Sequence, residues 1–288
     1  MKKSNSLKIF STYTTYLFLI AFVLIPTLFI IVVSFLKADS LGNIKLMFTF
    51  ENFKKLFDPV YLNIMVNSLK IAFITTISAL LLAYPLAYII SKTGRKIQQA
   101  LFMLIILPYW TNSLVRTYSF LIVLRSDGII NKLLMMLGAI TEPLQLLYTE
   151  GAVIFAMIYL LLPVMFLPIY SSITKLDFSF VEASHDLGAN KFQTFLSVIL
   201  PLTIPGVMAG TILVFTPCLG LFFISDLIGG GKTVLLGNII RDQFTSTRNL
   251  PFGSALSVLM MLFALFFIAI YYKTSYLSNT KTGEQNNE

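Results

Sequence analysis

The chain has 288 residues, 57% of them hydrophobic and 12% charged, against roughly 45–50% apolar and about 25% charged in a soluble domain; an ordinary soluble fold is excluded. A single cysteine, Cys218, and a single histidine, His185, exclude an internal disulfide and multi-thiolate centres and remove most histidine-based catalysis, so neither an enzyme, a metal nor another cofactor is read. Twenty-one basic residues against 13 acidic ones give a formal charge of +8; they stand between apolar runs, where they set membrane orientation, and no nucleic-acid site is read.

Crossing a hydrocarbon core takes about 20 residues of helix, and the apolar runs predict six transmembrane spans, at about 13–36, 65–90, 100–124, 151–174, 203–225 and 250–272. The chain is read as one all-α, polytopic membrane domain, 1–288. Lys2, Lys3 and Lys8 precede the first run, but its length exceeds a signal h-region and no A-x-A-like site follows, so it is an anchor. In the next loop Phe48, Phe53, Leu56 and Phe57 alternate with Lys54, Lys55 and Asp58 at near-helical spacing, which predicts a helix lying at the interface. The second run is charge-free from Ile71 to Ile90, the third is interrupted by Arg116, and the fourth is charge-free from Gly151 to Thr174. Phe192 to Ser225 is too long for one span, which predicts an approach helix ending near Pro201 and then the fifth span. The tail from Asn279 to Glu288 is polar and predicted disordered. Six spans put both termini on one side. The loops carry ten basic residues on that side and nine on the other, and only the density in Ser91–Gln99, three basic residues in nine, favours a cytoplasmic N-terminus.

Two places mark a conduit. Span three contains Pro108, Tyr109, Trp110, Asn112 and Arg116; a charge within the membrane is costly and signals a cavity or a partner, while helix packing accounts for Tyr109 and Trp110 as well as a pathway does. Span five has Pro217 and Gly220, then Phe222, Phe223 and Asp226, and a helix broken at depth survives only where protein or water satisfies its backbone. Aromatic faces attract ammonium groups by roughly 2 kcal/mol when desolvated, and Asp226 adds an acid, a combination suited to a flexible cation. Arg116 opposes a cation unless a carboxylate such as Asp226 or Asp127 neutralises it, which is the expectation. Gly229 to Thr233 fails as a phosphate loop, because the position requiring its first glycine is Asp226; ATP is expected on another chain. A proton- or sodium-driven carrier would bury acids in its spans, and none of the 13 acids lies well inside one.

Lys175 to Pro201, between spans four and five, is the most informative segment. Ser179 and Glu182 fit a capping box that starts a helix. Gly188 can close that helix in the left-handed conformation, and Asn190 can cap the next. Phe180, Ala183 and Leu187 form an apolar stripe, with Glu182, Ser184, His185 and Asp186 facing elsewhere. So short a helix is marginal alone and needs a partner surface. Glu182, Ala183, Ser184, then Gly188, then Val198, Leu200 and Pro201 resemble, interval for interval, the cytoplasmic loop of ABC importer permeases, with serine for the second alanine and valine for isoleucine. The resemblance implies a MetI-like permease fold. It also implies that the residues from Phe180 to Gly188 (Phe180, Glu182, Ala183, Ser184, Asp186, Leu187, Gly188) form a cytoplasmic coupling helix docking on an ATP-hydrolysing subunit.

The stretch Pro108, Tyr109, Trp110, Arg116, Thr117, Tyr118, Leu124, Arg125, Gly128 to Asn131, with Phe222 to Thr233, resembles the B-type permeases of spermidine/putrescine importers, over nearly the whole chain. This implies polyamine import across a bacterial inner membrane with a second, similar permease, two ATP-binding subunits and a periplasmic polyamine-binding protein. Tyr109, Trp110, Asn112, Phe222, Phe223 and Asp226 are then the expected pathway. Related permeases for ferric iron or an inorganic anion such as sulfate share the scaffold.

Overall fold

The computed structural model describes residues 12–39, 42 and 44–284; Lys2, Lys3, Lys8 and the last four residues of the tail lie outside them. Among the described residues the regular structure is helical apart from one hairpin. In chain order the elements are α1 (Thr12–Ser34), β1 (Leu36–Ala38), β2 (Ile44–Phe48), α2 (Glu51–Lys55), α3 (Pro59–Ser91), α4 (Arg95–Ile106), α5 (Ser113–Leu124) and α6 (Ile129–Met136). They continue with α7 (Glu150–Thr174), α8 (Ser179–Asp186), α9 (Lys191–Gly220), α10 (Phe222–Gly229), α11 (Leu236–Thr245) and α12 (Leu250–Glu284).

Among the described residues, five helices are long and apolar enough to cross a bilayer: α1, α3, α7, α9 and the part of α12 from Leu250 to Ile270. Four of them fall on the predicted first, second, fourth and sixth spans. The predicted third span is two helices of 12 residues, α4 and α5, each about 18 Å long at 1.5 Å per residue, joined by a 3₁₀ turn over Leu107–Trp110. Pro108 causes the interruption: it brings no N–H, and its carbonyl accepts both the Thr111 amide (3.2 Å) and the Thr111 hydroxyl (2.7 Å).

The fifth predicted span is displaced. No helix ends near Pro201; α9 runs unbroken from Lys191 to Gly220 with a π-helical segment over Phe195–Ile199, a widened turn that accommodates Pro201 directly after it, and Pro205 and Pro217 lie inside the helix. The break comes at Leu221 (φ −76°, ψ 58°). The loop helix expected over Phe48 to Asp58 is also corrected: Phe48 lies in β2, and only Glu51–Lys55 is helical. At the C-terminus, α12 continues to Glu284, through most of the tail expected to be disordered.

Packing groups the chain into two compact units. Of the described residues, the first comprises those from 12 to 63 with 239–263. Its hairpin pairs Leu36 with Phe48, Lys37 with Lys45 and Ala38 with Ile44. Buried Asn52 locks the hairpin to α1, donating to the carbonyls of Ser34 (2.9 Å) and Leu36 (2.8 Å). Phe35 stacks on Phe48 and meets Phe50 and Phe53, which is why the hairpin, and not an extended amphipathic helix, collects those rings.

The second unit, 64–238 with 264–284 among the described residues, is built on α7, which packs against α9, α10 and α5. A small-residue pair brings α9 onto α7. A Cβ at Gly206 would sit 2.6 Å from the Pro168 carbonyl oxygen, and one at Gly210 would sit 3.0 Å from that of Met165. Glycines four apart share one helix face, and in hydrocarbon such close approach supplies van der Waals contact that the hydrophobic effect does not. Buried Tyr84 of α3 hydrogen-bonds Thr203 of α9 at 2.8 Å, and Lys70 of α3 pairs with Glu150 of α7 at 2.7 Å.

Candidate functional site

The expected coupling residues all lie on α8 and the bend that follows it. The helix starts one turn after Leu176, but not through the predicted capping box. Phe178 occupies the cap position with no side-chain bond, and the Asp177 carboxylate has already taken the Ser179 amide at 3.0 Å, so Ser179 is a helical residue. Hydrogen bonds from the Ser179 backbone and side chain hold the Asp177 carboxyl below the usual carboxylate range. Gly188 ends the helix at φ +84°, a conformation that a side chain disfavours, and its amide donates to the His185 carbonyl (2.9 Å). Asn190 then caps α9 in a reciprocal box with Gln193.

One face of α8 is anchored and the other is not. Val181 is buried, and Ser184 bonds the hydroxyl of Thr194 at 3.0 Å; Thr194 itself is buried at 1% exposure. Phe180 and Leu187, by contrast, are 56% and 89% exposed, and Glu182, Ala183 and Asp186 are exposed beside them. Two large apolar side chains held out on a bent, cross-braced helix of eight residues form a knob shaped for a groove. The serine, a small change of size within the motif, has the further effect of tying the knob to α9. Its partner Thr194 escaped the sequence because hydroxyls ten residues apart on either side of a bend leave no periodic signal.

The predicted pathway residues divide between two places. Asn112 caps α5 by accepting from the Leu114 amide (2.8 Å). Trp110 is 77% exposed and Tyr109 is 43% exposed. Arg116 is buried, its guanidinium carbon 5.8 Å from the Tyr109 ring centroid, and its Nε has no hydrogen-bond partner. The expected neutralisation of Arg116 by Asp226 or Asp127 does not occur. Asp127 pairs with Arg125 at 3.3 Å, and Asp226 accepts from Asn238 of α11 at 2.6 Å; each carboxylate has a donor of its own, and the Tyr109 face serves Arg116 instead.

Phe222, Phe223 and Asp226 stand on α10, directly after the break, with the two rings edge to face at 6.3 Å. Here α10 packs on α5 and α7, while Tyr109, Trp110 and Asn112 stand ahead of α5. The break is sealed by buried polar groups. Asn238 also donates to the Phe222 carbonyl (3.2 Å) and accepts from the Leu235 amide (2.9 Å). Ser225 donates to the Thr233 carbonyl, and Ser68 accepts from the Leu236 amide (2.8 Å). Satisfying freed backbone in this way is what allows irregular structure at membrane depth.

Apolar helices exposed along their length, one of them broken where polar side chains converge, make this a polytopic membrane protein of the transporter type. Residues 79–275 match the model of the binding-protein-dependent transport system inner membrane component, and the chain belongs to that family. It is 44% identical over 266 residues to the spermidine/putrescine transport system permease protein PotB of Salmonella typhimurium, covering 92% of this chain and 93% of that protein. Identity to the Haemophilus influenzae protein of the same name is 46% over 263 residues, 91% of this chain and 92% of the relative. Among solved structures, a bacterial alginate ABC transporter in complex with alginate pentasaccharide-bound periplasmic protein matches with a TM-score of 0.78 at 16% identity over 95% of each chain. The MetNI methionine ABC transporter matches at 0.56 and 12% identity, over 78% of this chain and 99% of that one. The fold is therefore that of an ABC importer permease.

Proposed function

We infer that this chain is a transmembrane permease subunit of an ABC importer that carries spermidine and putrescine inward across the bacterial inner membrane. The observation that carries the reading is 44–46% identity, across more than nine-tenths of both chains, to permeases named for those polyamines. The chemistry of the site agrees: Phe222, Phe223 and Asp226 combine π-faces with a carboxylate, the set that recognises a flexible chain of ammonium groups. On this reading ATP is hydrolysed by two separate subunits, a second, similar permease completes the conduit, and a periplasmic binding protein delivers the polyamine. Both termini and α8 lie in the cytoplasm. Closure of the ATPase pair pulls on the Phe180 to Gly188 knob, and the Ser184–Thr194 bond passes the displacement to α9, whose broken end carries the pathway residues.

The test is reconstitution of the complex in liposomes, with labelled spermidine, putrescine, sulfate and ferric ion offered in turn. ATP-dependent accumulation of the two polyamines alone is expected. Uptake of sulfate or iron instead, or polyamine uptake indifferent to ATP, would overturn the reading.

A further inference from the structure

We propose that the groove between α4 and α7 is a binding site for an anionic phospholipid, its phosphate held by Arg95, Gln98 and Gln99 and its acyl chain laid along Phe102, Met103 and Tyr170. The inference does not depend on which solute the chain carries; it requires only that these helices lie in a bilayer.

The groove encloses about 550 Å³ and is lined by those six residues, a size within the range of small-ligand sites. Five of the six come from α4 at spacings of three and four, so they share one face of that helix. At 1.5 Å per residue this face runs about 12 Å from Arg95 to Met103, and its chemistry changes in order: a guanidinium, two carboxamides, then a ring and a thioether. The far wall is α7. There Tyr170 stacks on fully buried Phe166 at 5.3 Å, and Phe102 meets both rings, at 5.2 Å and 6.1 Å. These contacts give the apolar end a fixed floor.

The polar end has donors and nothing to receive them. Lys92, Arg95 and Lys96 crowd the start of α4, whose first turn carries no acid. Among the described residues none of the three is in an ion pair, and only the Lys92 side chain has a partner, the Tyr88 ring at 4.4 Å. Like charges so close repel one another, and a phosphate relieves that repulsion. Arg95 offers a planar fork matched to phosphate oxygens, and the Gln98 and Gln99 amides add neutral donors one turn on. A soluble anion would use this end alone. Ile97, Met103 and Leu104 are exposed along the rest of α4, as suits a helix against lipid, and a slot that is basic at one end and aromatic at the other fits an amphiphile lying parallel to the helix. Setting membrane orientation accounts for the charges but not for the groove beside them.

The experiment uses the assembled importer in lipid nanodiscs doped with phosphatidylglycerol or phosphatidylcholine carrying the same photoreactive acyl chain, and maps the cross-linked peptides by mass spectrometry. The anionic lipid is expected to label residues 97–104 and the Tyr170 turn of α7 about tenfold more than the neutral one, the scale of one hydrogen bond to a charged group. Arg95→Gln is expected to bring that ratio close to one. Equal labelling by the two lipids in the wild type would overturn the site, as would a wild-type ratio in Arg95→Gln. Loss of the preference in excess inorganic phosphate at constant ionic strength would assign the groove to a soluble anion, and absence of any label there would mean that a neighbouring subunit covers it; either overturns the proposal. If Arg95→Gln does not assemble, the wild-type ratio and the phosphate competition decide. Failure of the complex to move polyamine would overturn the functional reading and leave this site standing.

Discussion

Gly188 carries a constraint that the residues around it do not. At φ +84° any other side chain costs of order 1–3 kcal/mol, so Gly188→Asp re-aims the knob as well as adding a charge to it, while Glu182→Lys reverses a charge on its exposed face. Both variants are expected to insert normally and to lose substrate-stimulated ATP hydrolysis and uptake together, measured on purified complex; full activity in either would remove α8 as the docking element. Arg116 makes the opposite case. A buried guanidinium with a ring for company and an unpartnered Nε contributes little net stability, because its desolvation is not offset by a carboxylate. Arg116→Met is therefore expected to leave the melting temperature of the complex within about 3 °C. A larger fall, read by thermal denaturation in detergent, would mean that an acid from another subunit pairs with it.

Among the elements, α8 and the α7–α9 pair depend on different physics. The α8 start is electrostatic: the Asp177 carboxyl is held low by hydrogen bonds to its ionised form. A depressed carboxyl contributes fully above its ordinary pKa and loses that contribution as pH falls through the lowered value. Asp177→Ala should accordingly speed amide exchange at Ser179 to Val181 at neutral pH, and the difference from wild type should vanish only below the usual carboxylate range. The α7–α9 contact is steric. Leucine at Gly206 or Gly210 would need space already held by the Pro168 and Met165 carbonyls, and overpacking of that kind costs typically 1–3 kcal/mol. Lower yield and a lower melting temperature are expected for either, with no such change for leucine at Gly94, where an added Cβ meets nothing within 4 Å. The spacing of these two glycines is legible in the sequence as a small-xxx-small pair; which helix they face is not.

For the whole molecule, the sidedness of α8 decides whether a cytosolic motor can reach it. Leu187 is 89% exposed, while the one cysteine, Cys218, is fully buried, so Leu187→Cys introduces a single reactive thiol without background. An impermeant maleimide should label it in inside-out vesicles and not in intact spheroplasts, and bound ATPase subunits should protect it. Labelling from the periplasmic face would place the knob out of reach of ATP.

Apolar runs, the glycine and asparagine of the bend, and the motif spacing from Glu182 to Pro201 were enough to define a helical membrane protein with a short, protruding helix, because those features depend on local chemistry: burial in lipid, left-handed φ and side-chain capping. The broken helix near Pro217 and Gly220 was legible for the same reason, to within a few residues. Three things depended on tertiary structure. These are the unpaired burial of Arg116, the seating of Gly206 and Gly210 on α7, and the capture of Asp226 by Asn238. Each depends on which group lies nearest in space, and hydrogen-bond partners 12 residues apart across a turn, or carbonyls on a facing helix, leave no periodicity along the chain.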